Sequence, residues 1–129
     1  MKLLLDTHLL LWVSIESDRL SKQALQRLGD ETAELVFSAA NIWEVATKSA
    51  LGKPGFQVDA AVLRRALLEN GYAEIAISGL HASQAASLPQ IHRDPFDRIL
   101  IAQAAEEGAT LLTVDRTIAR YPGGIEYVG

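Results

Sequence analysis

Four carboxylates, Asp6, Glu44, Asp97 and Asp115, lie far apart in the chain, yet three stand where an apolar run meets a polar edge or where a helix begins, and Glu44 lies inside a helix one or two turns from its start. Asp6 closes the short run Lys2-Leu3-Leu4-Leu5, and Asp115 closes Ala109-Thr110-Leu111-Leu112-Thr113-Val114. Continuous apolar runs of this kind suit buried parallel strands. Asp97 falls at the third position of a helix opened by Asp94-Pro95, and Glu44 lies about one turn beyond a strand that ends at Ser38. In an open parallel sheet the working site lies outside the carboxyl ends of the strands, where loops and helix N-termini converge. Acids gathered there repel one another, and a buried unpaired charge is costly, so a cation is the natural occupant of the gap. Oxygen donors select a hard ion: Mg2+ or Mn2+, one or two of them, rather than Zn2+, whose histidine and cysteine donors are scarce in this chain. Such a site suits hydrolysis of a phosphodiester, because the ion activates a water, holds it in line and neutralises charge on the phosphate, with no protein nucleophile.

The residues beside these acids each admit two readings. Asp94 followed by Pro95 is a helix N-cap and first helical position, or else a further member of the acid group. Asp97 is favoured by the helix dipole with or without an ion. Arg98, four residues after Asp94, can pair with it or take a phosphate. Lys48, one turn after Glu44, suits an exposed ion pair, or balances the acids and contacts a nucleic acid. Thr7, Ser38 and Thr113 are small hydroxyls that cap helices and close strands, or else hold waters and orient carboxylates. Arg93, Arg116 and Arg120 either scatter over the surface or line a groove. His8, His81 and His92 are set aside as metal ligands, because the carboxylates already satisfy a hard ion. His8 is expected to pack near Trp12 and His92 to be solvated.

Periodicity and punctuation give the elements that must carry these residues. Strands are expected over 2–5, 34–38, 73–77, 109–114 and 125–128. Helices are expected from Leu9 onward with Asp6 or Thr7 as cap, and then over 21–28, 39–51, 58–69, 78–87, 95–107 and, briefly, 116–120. The fourth of these should turn Val62, Leu63, Ala66 and Leu67 inward. Strands alternating with helices mean an α/β sandwich built on a mostly parallel sheet. A chain of 129 residues is one domain, 1–129, and 49% hydrophobic against 22% charged residues gives it a packed core. A net charge of −4 argues against the broad basic surface that grips duplex DNA. The absence of cysteine excludes disulfides and thiolate metal sites and fits a reducing compartment, so a cytoplasmic location is expected. Asp6 and His8 interrupt the apolar start before it reaches the length of a secretion signal, and no stretch approaches the ~20 apolar residues of a membrane span.

Taken in order, Leu4-Leu5-Asp6-Thr7-His8, Ser38 through Trp43-Glu44-Val45 with Lys48, Asp94-Pro95-Phe96-Asp97-Arg98 with Ile101-Ala102-Gln103-Ala104, and Leu111-Leu112-Thr113-Val114-Asp115 resemble the PIN-domain ribonucleases, and most closely the VapC-type toxins of toxin–antitoxin pairs. The resemblance spans almost the whole chain. It implies a PIN-like three-layer sandwich with a parallel five-stranded sheet flanked by helices, and a Mg2+- or Mn2+-dependent endoribonuclease. It maps the family's acidic quartet onto Asp6, Glu44, Asp97 and Asp115, and matches Asp94 to the motif of a subgroup. It further implies a homodimer, which would give the basic residues a shared rim, and a small antitoxin whose tail covers the active site. Trp12, Trp43, Leu9 and Leu10 are then either core residues or the groove for an antitoxin helix. A PIN nuclease that processes RNA without a toxin role, and a non-catalytic module that binds a divalent ion, are the alternatives.

Overall fold

The computed structural model describes residues 1–129. Its centre is β1 (Lys2–Leu5), whose Leu3, Leu4 and Leu5 are wholly buried. The other strands are β2 (Glu34–Ser38), β3 (Ala73–Ile75), β4 (Ala109–Thr113) and β5 (Ile125–Tyr127). They form one sheet in the order β3-β2-β1-β4-β5, and every pairing is parallel. A parallel sheet needs cover on both faces, and the period-two alternation of side chains supplies an apolar surface to each. Leu3, Leu5, Phe37 and Leu112 join one cluster, while Leu4, Val36 and Leu111 join the other. The result is the expected three-layer sandwich.

Helices α1 (Thr7–Ile15), α2 (Lys22–Leu28), α3 (Ala39–Ala50) and α4 (Ala60–Glu69) follow β1 and β2 in pairs. Helices α5 (Gly79–Ala86) and α6 (Pro95–Glu107) come between β3 and β4. Leu9 and Leu10 of α1 and Leu63 and Leu67 of α4 pack into the first cluster, and Leu100, Ile101 and Ala104 of α6 into the second. α6 ends at Gly108, whose φ of 63° is the left-handed turn that glycine adopts without a Cβ penalty.

Several boundaries differ from expectation for identifiable reasons. α4 starts at Ala60 because Asp59 caps it, accepting from the amides of Ala61 and Val62. Only Leu63 and Leu67 face inward, since a single i, i+4 stripe meets the sheet, and Val62 and Ala66 are exposed. β3 stops at Ile75 because the chain turns to let Ser78 cap α5. Residues 116–120 supply no more than a 3₁₀ turn at Ile118–Arg120. β4 and β5 end one residue earlier than expected, at Thr113 and Tyr127.

Two features of the topology decide where a site can form. The chain builds β1, β2 and β3 outward in one direction and then returns to place β4 on the other side of β1. The order therefore reverses between β1 and β4, and a crevice opens at the carboxyl ends of those strands. The register sets Leu5 opposite Leu112, so Asp6 and Thr113 follow side by side at that crevice. Asp115 lies two residues beyond.

Candidate active site

Asp6 is built in by its backbone neighbours. It caps α1, with Oδ1 accepting from the Leu9 amide at 2.8 Å, while Oδ2 accepts the Val114 amide at 3.0 Å and the Thr113 hydroxyl in a short hydrogen bond. The Thr113 hydroxyl accepts from the Asp115 amide at 2.9 Å, so one threonine ties the two strand-end acids together. Asp115 Oδ1 accepts the Thr117 amide at 2.7 Å, and the side chain stays partly exposed. Burial pushes the Asp6 carboxyl above its ordinary range, against the opposing pull of the Thr113 hydroxyl and the Leu9 and Val114 amides.

Glu44 reaches the same edge from α3. It is buried, and its Oε1 accepts the Thr7 hydroxyl at 2.5 Å while Oε2 meets Lys48 Nζ at 2.5 Å. The Thr7 hydroxyl in turn accepts from Asn41 Nδ2 at 3.0 Å. Asn41, the third residue of α3, completes a capping box by accepting the Ser38 amide on Oδ1 at 2.7 Å. Ser38 itself caps α3 through the Ala40 amide and makes no bond to a carboxylate; it acts on Glu44 only through Asn41.

Asp94 does two jobs at once. Oδ1 caps α6, accepting the Phe96 amide at 2.9 Å, and Oδ2 lies 3.3 Å from Lys48 Nζ. Asp97, one turn of chain later, is the acid the others surround. Glu44, Asp94 and Asp97 bring one oxygen each within 4.8 Å of one another, and so do Asp97 and Asp115 together with a ring nitrogen of His92. Burial, and then the charges of Asp94, Glu44, Asp6 and Asp115, push the Asp97 carboxyl up to about 8. Asp6, Glu44 and Asp115, joined by the capping residue Asp94, all act on this one carboxylate.

The donors fit a divalent cation. His92 Nε2 is buried and lies 2.8 Å from Asp97 Oδ2 and 3.7 Å from Asp115 Oδ2, yet it is out of line for a hydrogen bond to either. An orphaned nitrogen facing two carboxylates is an arrangement that a metal ion relieves.

A family model for the PIN domain matches residues 3–124. The chain belongs to the PIN-domain family. Ribonuclease VapC22 of Mycobacterium tuberculosis is 31% identical over 116 residues, covering 89% of this chain and 88% of that protein, and the chain is of this VapC type. Its fold is shared with VapBC2 from Rickettsia felis bound to a promoter DNA fragment, at a TM-score of 0.72 and 16% identity over all of both chains. It is shared also with a toxin–antitoxin complex from Klebsiella pneumoniae, at 0.66 and 22% identity over 95% of this chain and 94% of that one. The sarcin–ricin loop cleaving toxin VapC20 of Mycobacterium tuberculosis gives 0.63 and 12% identity over 93% and 96%.

The PIN-domain site departs from the sequence reading at Arg98, His92 and His8, and it selects between the alternatives open for Lys48, Leu9, Leu10 and Trp43. Arg98 is buried and turned away from the acids; its guanidinium donates to the carbonyls of Ala85, Leu88, Pro89 and His92 and to the Tyr121 hydroxyl, so it neither pairs with Asp94 nor faces a phosphate. Lys48 lies inside the acid group rather than on an exposed helix face. His92 is a member of the site, carried there by the turn before α6. Leu9 and Leu10 are wholly buried and line no groove, whereas Trp43 is 61% exposed and meets Phe96 edge to face at the rim. His8 packs against Phe56 rather than Trp12, and His81 completes the capping box of α5. Arg93 is exposed beside Ala82, Ala86 and Ile99, and the Arg116 guanidinium lies 4.6 Å from the centre of the Tyr127 ring. Asn41 has a sequence signal, Ser38-x-x-Asn41 at a helix start, but carries no charge to set it beside the acids.

The raised Asp97 carboxyl has a consequence for stability in metal-free buffer. The folded chain holds this proton up to about 8, whereas the unfolded chain releases it near 3.8. Between those values the folded state binds more protons, so stability falls as pH rises across the window. Scanning calorimetry in EDTA should show the wild-type midpoint dropping from pH 5 to pH 8, with a shallower drop in Asp97→Asn. Parallel curves for the two proteins would refute the assignment.

Proposed function

We propose that the chain is a divalent-metal-dependent endoribonuclease, the toxin of a toxin–antitoxin pair, acting in the cytoplasm with Mg2+ or Mn2+. The observation that carries this reading is the gathering of Asp6, Glu44, Asp94 and Asp115 around the buried carboxylate of Asp97 at the switch point of a parallel sheet. The similarity to Ribonuclease VapC22 supports RNA as the substrate. A bound ion would supply an activated water and charge neutralisation at the scissile phosphate. Asp97 and Asp115 are the residues best placed to hold it, with Glu44 and Asp94 at the adjoining position and Asp6 behind them. Thr113 and Thr7 fix the carboxylates of Asp6 and Glu44, so little reorganisation is needed when the ion arrives.

The partner we assign is a small antitoxin that covers this edge, consistent with the toxin–antitoxin complexes among the structural neighbours. Exposed Trp43 offers it an apolar contact beside the acids. A homodimer is the expected assembly, and no helix is long and apolar enough to cross a membrane. Labelled RNA incubated with pure protein should be cut internally with Mg2+ or Mn2+ and left intact with EDTA. Absence of metal-dependent cleavage of any RNA would sink the nuclease reading. Growth arrest on expression, relieved by co-expressing the neighbouring small open reading frame, is the result expected of a toxin; unimpeded growth with active cleavage would reassign the chain to RNA processing.

A further inference from the structure

The acid group contains two cation positions that share Asp97, and they are not equivalent. One is bounded by Asp97, Asp115 and the orphaned Nε2 of His92 and contains no positive side chain that completes its hydrogen bonding. The other is bounded by Glu44, Asp94 and Asp97, and Lys48 Nζ bridges the first two of these, 2.5 Å from Glu44 Oε2 and 3.3 Å from Asp94 Oδ2, without pairing with Asp97. Lys48 is held there from outside the acids as well: the Phe56 and Phe96 rings lie 5.2 Å and 5.8 Å from its nitrogen. An ammonium over aromatic faces and between two carboxylates is paired without waiting for a metal. Glu44 has its other oxygen committed to the Thr7 hydroxyl, so a divalent ion could enter this position only by displacing Lys48.

We infer that Lys48 takes the place of a second metal ion, so that the chain holds one divalent ion, at the Asp97–Asp115 end of the acid group. The inference rests on the metal-nuclease reading and deepens it by setting the number of ions. Lys48 is thus a positioning residue: it balances Glu44 and Asp94 and leaves the shared Asp97 free to serve a single ion. It also explains how Glu44 tolerates near-complete burial beside other acids, since a lysine one helical turn away supplies the countercharge in the same chain.

The test is the stoichiometry of Mn2+ binding to the full chain, by isothermal titration calorimetry at pH 8. The wild type and Lys48→Arg should each bind one ion. Lys48→Gln, which keeps a donor toward Glu44 and removes the charge, should bind two, with its fold checked by circular dichroism and a cooperative melt. Two ions in the wild type, or one in a folded Lys48→Gln protein, overturns the inference while the metal-nuclease reading stands. No ion in a folded wild type sinks both. Electron paramagnetic resonance of the Mn2+-saturated wild type provides a reading that needs no variant: isolated ions are expected, and a spin-coupled pair would refute the role given to Lys48.

Discussion

Asp97→Asn should leave a folded protein that no longer cleaves RNA, with a loss of roughly 10³-fold or more, equivalent to about 4 kcal/mol of transition-state stabilisation. Asp97 is the only residue common to both cation positions, so removing its charge weakens each of them. The substitution is close to isosteric, and the capping of α6 depends on Asp94 rather than on Asp97. It also removes one of several acids that repel one another, so the melting temperature in EDTA should rise above pH 7 rather than fall. This pairing of outcomes, greater stability with lost activity, separates a ligand from a structural residue. Quantifying cleavage of labelled RNA at saturating Mn2+ beside a calorimetric melt tests both halves. Full activity in a well-folded Asp97→Asn protein would remove the central claim.

Asp6, Asp97 and Asp115 were legible in the sequence because each stands at a boundary that local rules can find, whereas Glu44 lies inside α3. Asp6 follows a run that can only be a buried strand, Asp97 follows a cap and a proline, and both positions were recovered. Parallel strands bring their carboxyl ends to one edge, so knowing the elements was nearly enough to know that the acids meet. His92 carried no such mark. It lies two residues before the cap, in a turn with no repeating hydrogen bonds, and its direction depends on contacts with Arg98 and Tyr121 made across the fold. Lys48 was readable as the partner of Glu44 from its i, i+4 spacing, but its second bond, to Asp94, joins α3 to the start of α6 and depends on how those helices pack. The exposure of Val62 and Ala66 likewise follows from where α4 docks, which its own periodicity does not decide.

Arg98 is the sharpest case, and its removal is expected to destabilise the fold rather than to impair substrate binding directly. Its guanidinium donates to four carbonyls, those of Ala85, Leu88, Pro89 and His92, and to the Tyr121 hydroxyl, at distances of 2.8–3.2 Å. Those carbonyls belong to the end of α5 and the turn leading to α6, where a cation satisfies groups that the helix leaves unpaired. No carboxylate is among its partners, so the charge is balanced by backbone dipoles alone. Arg98→Ala would leave the Leu88 carbonyl without a donor and strip the charged donor from those of Ala85, Pro89 and His92, which keep only weaker neutral partners, and charged hydrogen bonds contribute about 1.5–3 kcal/mol each before water partly replaces them. A loss of about 4 kcal/mol is the expected result, with Arg98→Lys recovering only part of it because one ammonium cannot span the same fork of acceptors. Urea denaturation measures the loss, and hydrogen exchange should localise it to residues 85–94. Because that turn carries His92 and Asp94 into the site, metal affinity should fall with it. If Arg98→Ala instead keeps its unfolding midpoint and loses only RNA affinity, the guanidinium meets phosphate after all, and the helix-closing role is wrong.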